Sequence, residues 1–137
     1  MEQHVAAAGV VDAMKTYGKG DAAVHALAGG TVSFPTGRFT AIMGPSGSGK
    51  STLMQCVAGL DRLTSGKAYI GDTELSTLGK TDLALLRRDR LGFIFQQYNL
   101  IPTLTARENI LLPLTLAGTS PDEVWFDSII RTVGLGD

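Results

Sequence analysis

Cysteine is almost missing from this chain of 137 residues; Cys56 is the only one, so no internal disulfide can form. A small secreted scaffold stapled by disulfides is excluded, and the cytoplasm is the expected compartment. Cys56 falls in a segment expected to be helical, where a small buried apolar role outweighs that of a reactive thiol. Neither sign of charge is in excess, because 12 Lys and Arg face 13 Asp and Glu, a net −1. A nucleic-acid partner would need a basic face, and none is encoded. Histidine is scarce too, and neither His4 nor His25 has neighbours at metal-ligand spacing. No apolar run approaches the ~18 residues that span a bilayer, so a soluble chain is expected. The opening Met1-Glu2-Gln3-His4 lacks the basic segment and apolar core of a secretory signal. There is no internal repeat and no low-complexity linker, and the length suits one domain or a large part of one.

Glycine, by contrast, is plentiful at 17 residues, and three of them punctuate Gly44-Pro45-Ser46-Gly47-Ser48-Gly49-Lys50-Ser51. That string satisfies the G-x-x-x-x-G-K-[ST] pattern of a phosphate-binding loop. On average residue usage, a chance match in so short a chain falls below about one per cent. Residues 38–43 before it form an apolar, strand-like run, and Leu53, Val57 and Leu60 behind it recur at helical spacing. Strand, glycine loop and helix in that order point to a nucleoside triphosphate as the ligand. Glycines 44, 47 and 49 leave no Cβ in the way of a close-lying phosphate, and successive N–H groups can turn into one concavity. The helix that follows adds the positive end of its dipole. Lys50 is expected to reach the β- and γ-phosphate oxygens, the Ser51 hydroxyl to complete the coordination of Mg²⁺, and Thr52 to bond the α-phosphate.

The rest of the chain reads as alternating elements. Residues 10–16 and 22–28 are strand candidates about the turn Tyr17-Gly18-Lys19-Gly20-Asp21, with residues 31–34 a further short candidate. After a helix ending near Leu60, residues 64–66 mark a loop. Residues 68–70 and 73–75 form a hairpin about Gly71-Asp72. Residues 81–90 are helical by the spacing of Leu83, Leu86 and Arg87, with Arg87 and Arg88 a solvated helix end. Residues 91–96 read as a buried strand. Thr105-Ala106-Arg107-Glu108 is a capping box. Ser120-Pro121-Asp122-Glu123 reads as another, opening a helix to about Val133 that stops at Gly134. This alternation argues an α/β fold with a largely parallel central sheet.

Together these residues resemble the ATP-binding subunits of ABC transporters over nearly the whole chain. Tyr17 stands where that family places an aromatic that stacks on adenine. The loop at 44–52 has the family's form, and Ala58-Gly59-Leu60-Asp61 with Thr64-Ser65-Gly66 follows at the expected distance. Phe93-Ile94-Phe95-Gln96-Gln97 looks like the glutamine loop. The stretch from Leu100-Ile101-Pro102 through Glu108-Asn109-Ile110 to Leu112-Pro113-Leu114 is similar to the branch that drives lipoprotein release and macrolide efflux.

The resemblance implies a P-loop NTPase fold of the ABC type: a mixed sheet, an N-terminal antiparallel β-subdomain and the start of an α-helical subdomain. Residues 1–96 are expected to form the nucleotide-binding core and residues 97–137 the glutamine-loop region. It implies ATP and Mg²⁺ as cofactors, with Gln96 contacting the metal and the attacking water. Gln97 is the adjacent candidate, and register with the strand selects Gln96. Val24 packs either in the core or against the base or ribose. Leu111, Leu112 and Leu114 serve either the core or a groove for a transporter's cytoplasmic helix. The implied partners are membrane permease subunits and a second ATPase subunit, at the inner face of the cell membrane.

The family's mechanism also needs an apolar strand ending in Asp-Glu, a Leu-Ser-Gly-Gly-Gln signature and a later histidine, none of which is in these residues. Glu74, Glu108 and Glu123 occupy turns or helix starts. Residues 133–137 resemble the approach to the signature, so the expectation is an incomplete domain that holds a triphosphate without turning it over. Two alternatives stand beside a transport ATPase: a non-catalytic regulatory nucleotide binder, and a soluble ABC-type ATPase of translation or DNA repair. The Asn109–Pro113 region favours transport over the latter.

Overall fold

A bulge in the first strand sets the architecture. In the structure, a computed structural model that describes residues 6–136, β1 (Ala6–Tyr17) pairs antiparallel with β2 (Val24–Pro35) on one side and β3 (Ser65–Ile70) on the other. Both ladders slip within this stretch: β1 carries one residue more than β2 between Val10 and Ala13, which β2 makes up by Met14, and one more than β3 between Val11 and Met14. Asp12 takes the extra place with φ of 48°, and its N–H donates to Thr31 Oγ1 at 3.0 Å. A strict alternation would send Val10 and Ala13 to opposite faces; the inserted residue brings both inward, to 2% and 1% exposure. Gly66 of β3 faces this bulge, and a Cβ there would stand 2.2 Å from the Asp12 carbonyl oxygen.

The sheet is completed by β4 (Thr73–Glu74), in the order β2-β1-β3-β4. Helix α1 (Lys50–Val57) packs against it through Cys56 and Val57. Ala68, Ile70, Leu75 and, from α2 (Lys80–Arg90), Leu83 complete the buried core. The expected hairpin about Gly71-Asp72 is present, and β1–β2 is the antiparallel β-subdomain expected at the N-terminus. Cys56 is a buried free thiol, as expected.

Several expectations need correction. Residues 64–66 are not all loop, since β3 already starts at Ser65. Residues 38–43 and 91–96 join no ladder among the described residues, so the parallel sheet expected from them is not formed there. Apolar sequence gives a segment the tendency to be a strand, but only a hydrogen-bonding neighbour makes it one. Phe39 and Ile94 are fully exposed accordingly. Phe93 and Phe95 still stack ring on ring at 5.6 Å, so these alternate residues share one side without a ladder. Finally, Arg87 is not a solvated end, because its guanidinium donates to the Gly59 carbonyl at 3.0 Å.

The chain divides into two compact units, with the boundary between Arg87 and Arg88. The second is built on α3 (Ala106–Ala117) and α4 (Glu123–Thr132). Thr105 and Glu108 form the expected capping box at the start of α3. At α4 the cap is Asp122, whose side chain accepts from the Trp125 N–H, and not Ser120; Gly134, at φ of 76°, follows its end. Leu111 and Leu112 are half-buried and Leu114 is exposed, and no residue of α3 or α4 is buried.

Asn109 organises the approach to α3. Its amide nitrogen donates to the carbonyls of Ile101, Leu104 and Thr105 at 3.2, 3.2 and 3.0 Å, and its oxygen accepts from the Ile101 N–H at 2.8 Å. Arg107 then ties α3 to α4, bonding both carboxylate oxygens of Glu123 at 2.9 and 2.7 Å and lying 4.3 Å over the Phe126 ring. Replacing Asn109 by Ala strands the turn's polar groups and is expected to cost about 1–3 kcal/mol locally. Amide hydrogen exchange across residues 101–112 should accelerate; unchanged protection would contradict this role.

Candidate functional site

The β1–β2 hairpin closes with Tyr17 opposite Val24 and Thr16 opposite His25, after a 3-10 turn at Gly20–Ala22. Register alone therefore places an exposed aromatic, a valine and an imidazole at one end of the sheet. The glycine loop comes to that same end. Gly49, at φ of 87°, is the N-cap residue of α1, and a Cβ on it would lie 2.3 Å from the Ala26 carbonyl oxygen and 3.3 Å from Leu27 Cδ2. Glycine is required here by the packing of loop on strand as much as by any ligand. Gly44 is nearly extended at φ of 159°, and its crowding neighbour is Ser48 Oγ, 2.8 Å from a Cβ built there.

The result is a cleft of about 400 Å³ lined by Tyr17, Val24, His25 and Ala26 from the hairpin and by Ser46, Gly47, Gly49, Lys50, Ser51 and Thr52 from the loop and α1. Most of the residues selected from the sequence for nucleotide binding thus meet. Gly44, Pro45 and Ser48 shape the loop without lining the cleft. Val24 is 61% exposed, which removes its core-packing alternative. The N–H groups of the first turn of α1 have no intrahelical acceptor and form the positive end of its dipole, and no side chain caps them. The Lys50 ammonium donates to the carbonyls of Gly44 at 2.8 Å and Pro45 at 2.7 Å and to Ser48 Oγ at 3.4 Å. One cation thereby braces the loop from inside. Gln96 belongs to the second unit, is exposed, and sits in a bend, not at a strand end. The register argument that separated it from Gln97 is lost with the strand. His4 lies outside the described residues, as does Asp137.

Sequence reasoning overlooked the cluster beneath Tyr17. The phenol donates to Asp61 Oδ2 at 2.7 Å, while Asp61 Oδ1 accepts from Lys15 Nζ at 2.7 Å and from the Arg62 N–H at 2.8 Å. Lys15 also donates to the Arg62 carbonyl at 2.7 Å and stands 4.8 Å over the Tyr17 ring. The Lys15 hydrogen bond, reinforced by the phenol, holds the Asp61 carboxyl below its ordinary range against the opposing effect of burial. Asp61 in turn raises the pKa values of both Lys15 and Tyr17. The only signal in sequence was alternation, which puts Lys15 and Tyr17 on one side of β1. His25 was set aside as a ligand, and its Nδ1 lies 2.9 Å from Thr16 Oγ1 on the cleft wall.

The ABC transporter family model matches residues 27–137, taking in the loop, α1 and everything after them. The chain belongs to the ABC transporter family. Among ABC relatives, a macrolide export ATP-binding/permease protein of Marinobacter nauticus is 43% identical over 128 residues, 92% of this chain and 20% of that protein. An ABC transporter ATP-binding protein of Thermotoga maritima is 44% identical over 130 residues, 93% of this chain and 56% of that one. An ATP-binding cassette of Methanocaldococcus jannaschii, solved as a dimer bound to ADP and Pi, superposes with a TM-score of 0.77 at 42% identity, covering 85% of this chain and 51% of that one. The chain therefore spans from about a fifth to just over half the length of these ABC proteins. The P-loop NTPase fold of the ABC type is established on the same ground. Among the described residues no helix is long and apolar enough to cross a membrane.

Two outcomes are expected. Gly49→Ala should lower the melting temperature, because the methyl group meets backbone it cannot displace at a φ that disfavours alanine, a loss of about 1–3 kcal/mol; an unchanged melt would contradict the packing. The second concerns acid. Since folding depresses the Asp61 pKa, its contribution to stability is full above the ordinary 3.8 and is lost as pH falls through the lower folded value. Urea midpoints from about pH 5 downward should fall more steeply in the wild type than in Asp61→Asn; parallel limbs would contradict the ion pair.

Proposed function

We propose that this chain binds MgATP in the Tyr17–Lys50 cleft as the nucleotide-binding part of an ABC system that drives export or lipoprotein release through a membrane permease. The observation that carries this reading is the convergence of an exposed aromatic and an uncapped helix start on one cleft. A purine stacks on Tyr17, with Val24 against the base or ribose. The triphosphate runs along the loop of Gly44, Pro45, Ser46, Gly47, Ser48 and Gly49. There the N–H groups of the loop and of the α1 start receive its oxygens. Lys50 exchanges carbonyl partners for the β- and γ-phosphates, a stronger, charge-assisted contact. Thr52 bonds the α-phosphate.

The donor chemistry fits Mg²⁺ that arrives with the phosphates. Ser51 offers a hydroxyl at the cleft, and among the described residues no group of three His, Cys, Asp or Glu could hold a cation unaided. Ser51 and Gln96 are the proposed protein ligands, and the ion supplies neutralisation of charge on the β- and γ-oxygens. Gln96 is also assigned the water contact, with residues 97–137 as the region that senses the nucleotide beside a permease at the inner face of the membrane. The functional division we propose is residues 1–96 for the nucleotide and 97–137 for coupling, with a second ATPase subunit closing over the γ-phosphate.

Hydrolysis is proposed for a complete domain. It requires a carboxylate that polarises water, and these residues carry no Asp-Glu strand, so holding the nucleotide is the activity proposed for the chain as it stands. Titration calorimetry with MgATP should show binding that Lys50→Ala weakens by about 10- to 100-fold. Equal affinity in the variant would overturn the assignment of the cleft.

A further inference from the structure

We propose that Asp61 is a positioning residue for nucleotide recognition, holding the Tyr17 phenol so that one face of its ring is presented to the base while Lys15 covers the other. This rests on the reading of Tyr17 as the base platform. An exposed tyrosine at a hairpin end is otherwise free to change rotamer, and that freedom would be lost on binding at a cost in affinity. Here the ring is fixed at two points before any ligand arrives: the phenol by Asp61 Oδ2 at 2.7 Å, and one face by the Lys15 ammonium at 4.8 Å.

Asp61 is itself immobilised. Its N–H donates to the Gln55 carbonyl at 3.2 Å, beside the Leu60 N–H bond to the same oxygen at 2.8 Å, so it is anchored to the C-terminal turn of α1. Its second carboxylate oxygen is occupied by Lys15 and by the Arg62 N–H. The helix that presents Lys50 and Ser51 at one end therefore fixes the aromatic platform from the other. Base platform and phosphate loop become one body, with α1 linking the two in addition to the contact of Gly49 on β2.

The test separates the base from the phosphates. Calorimetric titrations of the 137-residue chain with MgATP and with magnesium tripolyphosphate compare the wild type with Tyr17→Ala, Tyr17→Phe, Asp61→Asn and the Tyr17→Phe/Asp61→Asn double variant. Tyr17→Phe keeps the ring and removes only the hydroxyl. Asp61→Asn and Tyr17→Phe are each expected to weaken ATP about three- to tenfold, tripolyphosphate less than about twofold, and the double variant no more than the worse single one. Equal losses for both ligands would show a general structural role and overturn the proposal. A large loss in Tyr17→Ala with none in Tyr17→Phe or Asp61→Asn would overturn positioning while leaving the base platform intact. No loss in Tyr17→Ala would remove the platform reading, and this inference with it. Should Asp61→Asn fail to fold, the Tyr17→Phe result decides alone.

Discussion

The close approach of Gly49 to the Ala26 carbonyl is the contact on which the rest of the molecule depends. It presses a loop of small residues against the second strand and fixes where α1 begins. A side chain of any size at that position would push the two apart. With the approach in place, the open N–H groups of the α1 start lie beside Tyr17, Val24 and His25, and the hairpin register does the remainder. The site is an encounter between a hairpin end and a glycine loop, held by backbone geometry more than by side-chain bonds.

Electrostatics completes what sterics begins. The charges in this region are few and nearly all engaged: Lys50 with carbonyls of its own loop, Lys15 with Asp61, Arg87 with a carbonyl beyond α1. Lys15 and Asp61 are half-buried, so their attraction is screened less than that of the exposed Arg88–Asp89 pair. A chain with almost no net charge can still bind a polyphosphate, because the attraction needed is local: amide dipoles, a helix end and a single ammonium. The overall balance of 12 against 13 removes the electrostatic argument for a nucleic-acid partner and leaves a nucleotide open.

The sequence made some of this legible and hid the rest for identifiable reasons. Loop, helix and the hairpin at Gly71-Asp72 were readable because turn chemistry and spacing are local. The capping box at Thr105 was readable for the same cause, whereas Ser120 misled: the true cap, Asp122, sits two residues on, where its carboxylate meets the Trp125 N–H. Alternation in β1 was unreadable because Asp12 interrupts it, so Val10 and Ala13 face inward together. Residues 38–43 and 91–96 have strand composition, and composition cannot supply the neighbour that a ladder requires. The Lys15–Tyr17–Asp61 cluster spans 46 positions, and alternation links only Lys15 with Tyr17, leaving Asp61 without a trace. Likeness to a transport branch rested partly on Asn109, and the structure gives that residue a local duty in holding the turn before α3. Part of the resemblance there is explained by folding, before any partner is considered.

The central claim is that hairpin end and glycine loop form one nucleotide cleft. Amide chemical-shift mapping on isotope-labelled chain, with MgATP added stepwise, tests it most directly. The account predicts saturable shifts concentrated at residues 17, 24–26 and 46–52, moving together with one midpoint. Shifts confined to the loop with none at Tyr17 to Ala26, or no saturable shifts at all, would contradict it.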